Sequence, residues 1–204
     1  MDIQTVDAFA SHIFCTFLPN DFSKLARCKT ELDYVDIKKA GQADSAGSVS
    51  QTILDQFPNA KSALLKAFHE VNNQKLKYTN TEFKITTSWI SKTPPGGYSN
   101  YHNHSNSFMS GILYFDEYDD DSGPLELADY NFPSNTFKLV PTEFNQYNSR
   151  DYTIYPGKNL LILFPSYIYH RIGTNKSSQT RYSLAFNIIP SGSIGMQDSI
   201  ITMP

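Results

Sequence analysis

The hydrophobic period changes once along this chain, close to Tyr78, and that change limits the possible folds more than any other feature. Before it, NAKSALLKAFHEVNNQKLK (residues 59–77) sets Leu64, Leu65, Phe68 and Val71 at helical spacing opposite Lys and Glu, which predicts an amphipathic helix packed on a core. Shorter helices are expected over 3–11 and 21–31. After it come short strand-like runs, FKITTSWIS, SFMSGILYFD, GPLELADY, NLLILFP and RYSLAFNII, punctuated by turn sequences such as PPGG (94–97), DSG (121–123) and YPGK (155–158). Helices first and many short strands afterwards predict an α+β chain, mainly β, whose larger part is an antiparallel sandwich, barrel or jelly roll with the N-terminal helices packed on one sheet. No internal repeat or low-complexity linker divides the chain. A single domain over 1–204 is expected, mainly helical over 1–80, with a β core over 81–190 and a tail over 191–204. The stretch 131–150 has no strand pattern and is long enough to serve as a lid.

Composition narrows the partners. Seventeen basic and 20 acidic residues give a net charge of −3 with no Lys/Arg cluster, so no general affinity for nucleic acid or acidic membranes is expected. Cys15 and Cys28 are the two cysteines, too few for a disulfide scaffold. MDIQTVDAFASHIFCTFLPND has no basic start, and no apolar stretch reaches the roughly 20 residues of a membrane span. The chain therefore reads as cytoplasmic, or as resident in a host cytoplasm if it is viral. The glycosylation sequons at Asn103 and Asn175 then read as chance matches. The acidic run Asp116-Glu117-Tyr118-Asp119-Asp120-Asp121 lacks the spacing of a calcium loop and is expected to be a solvated hairpin tip.

Five histidines are present. His69 lies on the predicted helix beside core positions and His12 has no polar companions, so neither helps to build a site. His102 and His104, in YHNHSNSFMSGILYF, are two apart, so on an extended backbone both rings point to one face and can aim at one ion. His170 follows the apolar run NLLILFPSYIYH, and a jelly roll can bring strands distant in sequence together. Arg181 and Ser183 open the last alternating strand on a shared face, where a guanidinium fork beside a hydroxyl suits a carboxylate.

An early His pair, a late His and a following Arg-x-Ser, over about residues 83–189, make the chain resemble the 2-oxoglutarate and iron(II)-dependent oxygenases. More closely, SWISKTPPGGYSNYHNHSNSFMSGILYF, GKNLLILFPSYIYHRI and RYSLAFNIIP resemble a branch of such oxygenases found in marine bacteria and their phages. The resemblance implies a double-stranded β-helix with His102 and His170 as iron ligands. It implies Arg181 and Ser183 as the clamp for the distal carboxylate of 2-oxoglutarate, with Tyr114 adding a hydrogen bond. It also implies Fe(II), 2-oxoglutarate and O2 as cofactors, with no catalytic side chain beyond the metal centre. The expected reaction couples decarboxylation of 2-oxoglutarate to succinate and CO2 with hydroxylation of a small molecule or protein side chain.

His104 departs from the superfamily pattern, which carries Asp or Glu there; the branch keeps His. With His104 as the third ligand the face has one negative charge fewer. If the ring turned away, water, chloride, Asp116 or Glu126 would take the place. Trp89, Tyr98, Tyr101, Phe164 and Tyr167 are candidate pocket aromatics. Two other readings stay open: a cupin-like metal enzyme without 2-oxoglutarate, which leaves Arg181 and Ser183 without a task, and a non-enzymatic jelly-roll module.

Overall fold

A computed structural model describes residues 4, 10–36, 44–79, 81–129 and 139–203. Pro58 fits the first turn of a helix, where its missing N–H is not needed, and it opens α2 (Pro58–Val71). A π-helical turn over Asn72–Leu76 extends it, ending where Lys77 turns left-handed. α1 (Ser23–Cys28) is shorter than the predicted 21–31, and the helix expected over 3–11 falls almost wholly outside the described residues.

The strands are β1 (Phe14–Phe17), β2 (Tyr34–Asp36), β3 (Ala46–Ser48), β4 (Glu82–Thr93), β5 (Met109–Leu113), β6 (Leu125–Ala128), β7 (Asp151–Ile154), β8 (Leu160–Pro165), β9 (Tyr169–Ile172), β10 (Arg181–Ile194) and β11 (Ile201–Met203). A large antiparallel sheet runs β1-β8-β5-β10-β4-β3-β2, with β11 folded back on the end of β10, and a small sheet runs β7-β6-β9. The chain is thus mainly β, with two antiparallel sheets and few helices, as expected. The N-terminal segment does more than cap: β1 extends one edge of the large sheet, and β2 and β3 extend the other. These strands are three or four residues long, too short to show a period of two. The segment 191–204 is likewise not a plain tail, since β10 continues to Ile194 and β11 pairs with it.

Alternation along the strands assigns each face of the large sheet. Leu184, Phe186 and Ile188 of β10 join Leu161 and Leu163 of β8 in a core with Leu25, Leu64 and Phe68 of the helices. Ile112, Tyr114, Ile162 and Phe164 join Leu125 and Leu127 of the small sheet in a second core. Arg181, Ser183, Ala185 and Asn187 alternate with the helix-facing residues of β10, so they belong to the face that looks toward the small sheet. Gly111 is fixed by packing, because a Cβ there would sit 2.2 Å from Phe186 Cζ. Gly111→Ala is therefore expected to destabilise the fold by roughly 1–3 kcal/mol, the usual cost of overpacking, read from urea melts.

Charges in the loops are more engaged than the sequence suggests. Asp116 pairs with Lys29 and Glu117 with Lys158, while Asp119 accepts hydrogen bonds from Ser122 Oγ (2.9 Å) and Ser177 Oγ (2.6 Å). The acidic run is thus solvent-exposed over Asp119–Asp121, as expected, and in addition fastens neighbouring loops through Asp116, Glu117 and Asp119. Asn175 is fully buried, its Nδ2 donating to the carbonyls of Thr93 (3.0 Å) and Gln179 (2.8 Å), so it ties β4 to the loop before β10. Of the proposed lid, 131–138 lies outside the described residues, and 139–150 carries no strand or helix. Among the described residues no helix is long and apolar enough to cross a membrane.

Candidate functional site

Strand pairing brings the three histidines together. The segment carrying His102 runs antiparallel beside β9, with His102 N–H donating to His170 O (3.0 Å) and His170 N–H to His102 O (2.9 Å). Directly paired residues project to the same side, and so does His104 two positions on. His104 is held in turn by its N–H, which donates to Ser166 O at 3.0 Å. The ligand-type nitrogens of His102, His104 and His170 all lie within 4.8 Å of one another.

Hydrogen bonds also choose which nitrogen faces inward. His170 Nδ1 lies 3.0 Å from Ile168 O and His102 Nδ1 lies 2.8 Å from Asn100 O. A carbonyl only accepts, so both Nδ1 atoms carry the proton and both Nε2 lone pairs are free for a metal. His104 Nε2 stands 3.2 Å from His170 Nε2. Two cis ligands about 2.1 Å from one ion are separated by about 3.0 Å, so this spacing fits a shared metal without large movement. Trp89 stacks on His104, with ring centroids 5.4 Å apart.

The donor set is neutral. Glu126 projects from the outer side of β6, between the inward Leu125 and Leu127, and accepts from Arg171 Nε at 2.7 Å. Asp116 is held by Lys29. Both carboxylates that might have replaced His104 are thus engaged elsewhere.

Burial keeps two of the rings uncharged: it pushes the pKa of His170 down to about 3 and that of His104 down to about 4, with His102 adding repulsion to each. An unfolded histidine titrates near 6.5, so between there and about pH 4 the unfolded chain binds two protons that the folded chain refuses. Stability of the metal-free protein should therefore fall with acidification, by roughly 2 kcal/mol from pH 6 to pH 5. Urea melts in the presence of a chelator would read this slope, and a flat profile would contradict the burial of neutral rings.

Further along the same face of β10, Arg181 is 3% exposed. Its Nη1 donates to Ser183 Oγ and its Nη2 to Tyr114 OH, each at 3.0 Å. The guanidinium lies over the Tyr114 ring, 5.0 Å from the centroid. Arg181 Nε has no partner, and neither does Thr93 Oγ1 on the residue directly across the strand pair. No ion pair among the described residues reaches this guanidinium. A buried cation without an anion is costly.

A chamber of about 70 Å³ is lined by both groups, His102, His104 and His170 together with Arg181 and Ser183. It opens into a groove of about 970 Å³, lined by Val35, Gly47, Thr87, Tyr98, Asn100 and Asn187 among others. Trp89, Tyr98, Tyr101 and Phe164 line these cavities as expected. Tyr167 does not. It is 62% exposed, and its hydroxyl lies 3.1 Å from Ser11 Oγ. The sequence reading missed Asn187 and the β2–β3 wall; the Phe-Asn that ends RYSLAFN was the one visible sign.

Residues 87–187 match a family model described as "Putative 2OG-Fe(II) oxygenase". No curated protein matches the sequence. Solved structures with the same fold include a prolyl-4-hydroxylase from Pseudomonas putida (16% identity, 89% of this chain and 94% of that one, TM-score 0.59). Another is a prolyl hydroxylase from Trichoplax adhaerens in complex with a hypoxia inducible factor peptide fragment (12%, 90% and 84%, 0.61). A third is HygX from Streptomyces hygroscopicus, with nickel, 2-oxoglutarate and hygromycin B bound (12%, 87% and 82%, 0.57). The segment 87–187, which holds the three histidines, Arg181 and Ser183, is thus the part of the chain that is similar to the 2OG-Fe(II) oxygenases.

Proposed function

We propose that the protein is a 2-oxoglutarate-dependent non-haem iron dioxygenase that hydroxylates a substrate held in the groove, working in the cytoplasm. The observation that carries this reading is the buried Arg181 with its free Nε, set one small chamber away from three converging imidazoles. A cupin-like enzyme without 2-oxoglutarate needs only the histidines and would leave that cation uncompensated.

In this reading His102, His104 and His170 hold Fe(II) through their Nε2 atoms, and Arg181, Ser183 and Tyr114 hold the distal carboxylate of 2-oxoglutarate. Bound iron and 2-oxoglutarate would supply activation of O2, with succinate and CO2 as products. The chain's own residues set the geometry. Ile168 O and Asn100 O fix the tautomers of two rings, and Ser166 O anchors the backbone of His104. Arg181 is steered by Ser183 and Tyr114, so the cosubstrate meets a guanidinium already oriented. Trp89 stacks on His104 and Phe164 meets His170 edge-on, which fixes the orientation of both rings. Three neutral ligands leave the ion's double positive charge uncompensated, so an anionic cosubstrate should bind more tightly once metal is present.

Among the described residues that line the groove, Asp36 is the one carboxylate. No Lys or Arg lines it among the described residues, which disfavours phosphate-rich substrates. A small molecule or a protein side chain fits this lining. Anaerobic addition of 2-oxoglutarate to the Fe(II)-loaded protein should produce a weak visible charge-transfer band, and admission of O2 should yield succinate. Bound iron with neither band nor succinate would overturn the reading.

A further inference from the structure

One strand carries both ends of the active-site cleft. On the inward face of β10, Arg181, Ser183, Ala185 and Asn187 follow one another, so Asn187 lies six residues, or about 20 Å, from the carboxylate-binding end. Arg181 and Ser183 are buried, whereas Ala185, which lines the chamber, and Asn187, which lines the groove, are partly exposed. The carboxamide of Asn187 is held from both sides. Ser110 Oγ donates to its Oδ1 at 2.9 Å, and its Nδ2 donates to Thr87 Oγ1 at 3.0 Å. Ser110 Oγ also lies 2.9 Å from Ser166 Oγ, and Ser166 donates to Ser107 Oγ (2.8 Å), which is anchored on the carbonyl of Met109 (3.0 Å).

The backbone is also shaped around this residue. The pairing of β10 with β4 slips between Asn187 and Ile188, so that Asn187 faces Thr87 while Ile188 faces Ile85. The extra residue is Thr86, whose hydroxyl turns back to the carbonyl of Asn187. Bulges next to active sites re-aim a side chain, and here the bulge sits beside Thr87, the residue that holds the carboxamide in the groove.

A carboxamide offers two N–H donors and an oxygen with two acceptor positions. The protein uses one of each, which leaves one donor and one acceptor for the groove. The floor from β10 across β4 and β3 to β2 spans three strand spacings, about 14 Å, enough for roughly four extended residues. Gln51 and Asn100 add further amides along it, and Trp89, Tyr98 and Tyr101 add flat apolar surface.

We infer that Asn187, fixed by Ser110 and Thr87, is a positioning residue that hydrogen-bonds a neutral, amide-bearing substrate in the groove. This rests on the oxygenase reading above. One N–H and one lone pair match the carbonyl and N–H of a peptide-type amide, whether in a polypeptide segment or in a small amide metabolite.

The test uses zinc-loaded, 2-oxoglutarate-bound protein and follows the side-chain NH2 resonance of Asn187, identified by its loss in Asn187→Asp. Three probes are titrated: capped unstructured octapeptides, N-acetyl amino-acid amides, and maltotetraose. The resonance is expected to shift with the amide probes, and Asn187→Ala should weaken their binding about tenfold, the scale of one well-placed hydrogen bond. Thr87→Val, which releases one end of the carboxamide but leaves it in place, should weaken binding about threefold. Octapeptides binding more tightly than single amides would identify a polypeptide as the source, and equal affinity a small amide. A shift with maltotetraose alone, or with none of the probes, would overturn the inference. The charge-transfer band of the iron-loaded wild type stands apart from this result, so a band without a response at Asn187 overturns the inference and leaves the oxygenase reading intact.

Discussion

Arg181→Met is expected to lower the affinity for 2-oxoglutarate by roughly 10²–10⁴-fold, while leaving metal binding in place. Two charge-assisted hydrogen bonds of about 1.5–3 kcal/mol each are lost, and 1.4 kcal/mol corresponds to tenfold. Stability of the ligand-free protein should respond quite differently. Removing a buried cation that has no counter-charge is favourable, but Tyr114, fully buried, loses its only hydrogen-bond partner. These effects oppose each other, so the melting temperature without ligand should shift by only a few degrees. The decisive comparison is the rise in melting temperature on adding 2-oxoglutarate to the metal-loaded protein: large in the wild type and absent in the variant. If the variant kept that rise, Arg181 would not be the carboxylate clamp. A Lys in its place would retain the charge but lose the fork that Ser183 and Tyr114 orient, so it should recover only part of the affinity.

The parts of this site that were legible in the sequence are those carried by strict alternation. His102 with His104, and Arg181 with Ser183, are two apart, and two-residue spacing fixes a shared face whatever the rest of the chain does. His170 was legible through the apolar strand before it. What the sequence could not supply was cross-strand pairing. Nothing local says that His102 lies directly opposite His170, or that Glu126 is turned outward by the alternation of Leu125 and Leu127. The β2–β3 wall was hidden for a related reason: Ala46-Gly47-Ser48 has neither apolar period nor β-branched residues, and becomes a strand because β4 beside it offers unpaired backbone. Asn187 was visible only as the end of a motif. Its function depends on Ser110, 77 residues earlier, and on a bulge that no pattern announces. The fastening of Asp116 and Asp119 was missed because a run of acids at a turn ordinarily faces water.

His170→Ala should abolish stoichiometric metal binding, with the dissociation constant rising on the order of 10²–10³-fold. Structural zinc sites yield about 10–16 kcal/mol from four ligands, which sets the scale of one ligand at roughly 2.5–4 kcal/mol. His170 is the ring that the structure prepares most fully: 4% exposed, its Nδ1–H given to Ile168 O, its backbone paired with that of His102. The same variant should also be less sensitive to acid when metal-free, because one of the two rings that refuse a proton between about pH 4 and 6.5 is gone. The slope of stability against pH in that window should fall to about half. His102→Ala, at the exposed ring, should lose metal to a similar extent. His104→Ala decides the unusual position. A loss of affinity equal to that of the other two assigns His104 to the metal, with three imidazoles and no carboxylate. A loss of tenfold or less would mean that the ring stacked on Trp89 only shields the ion, and that the third ligand comes from solvent.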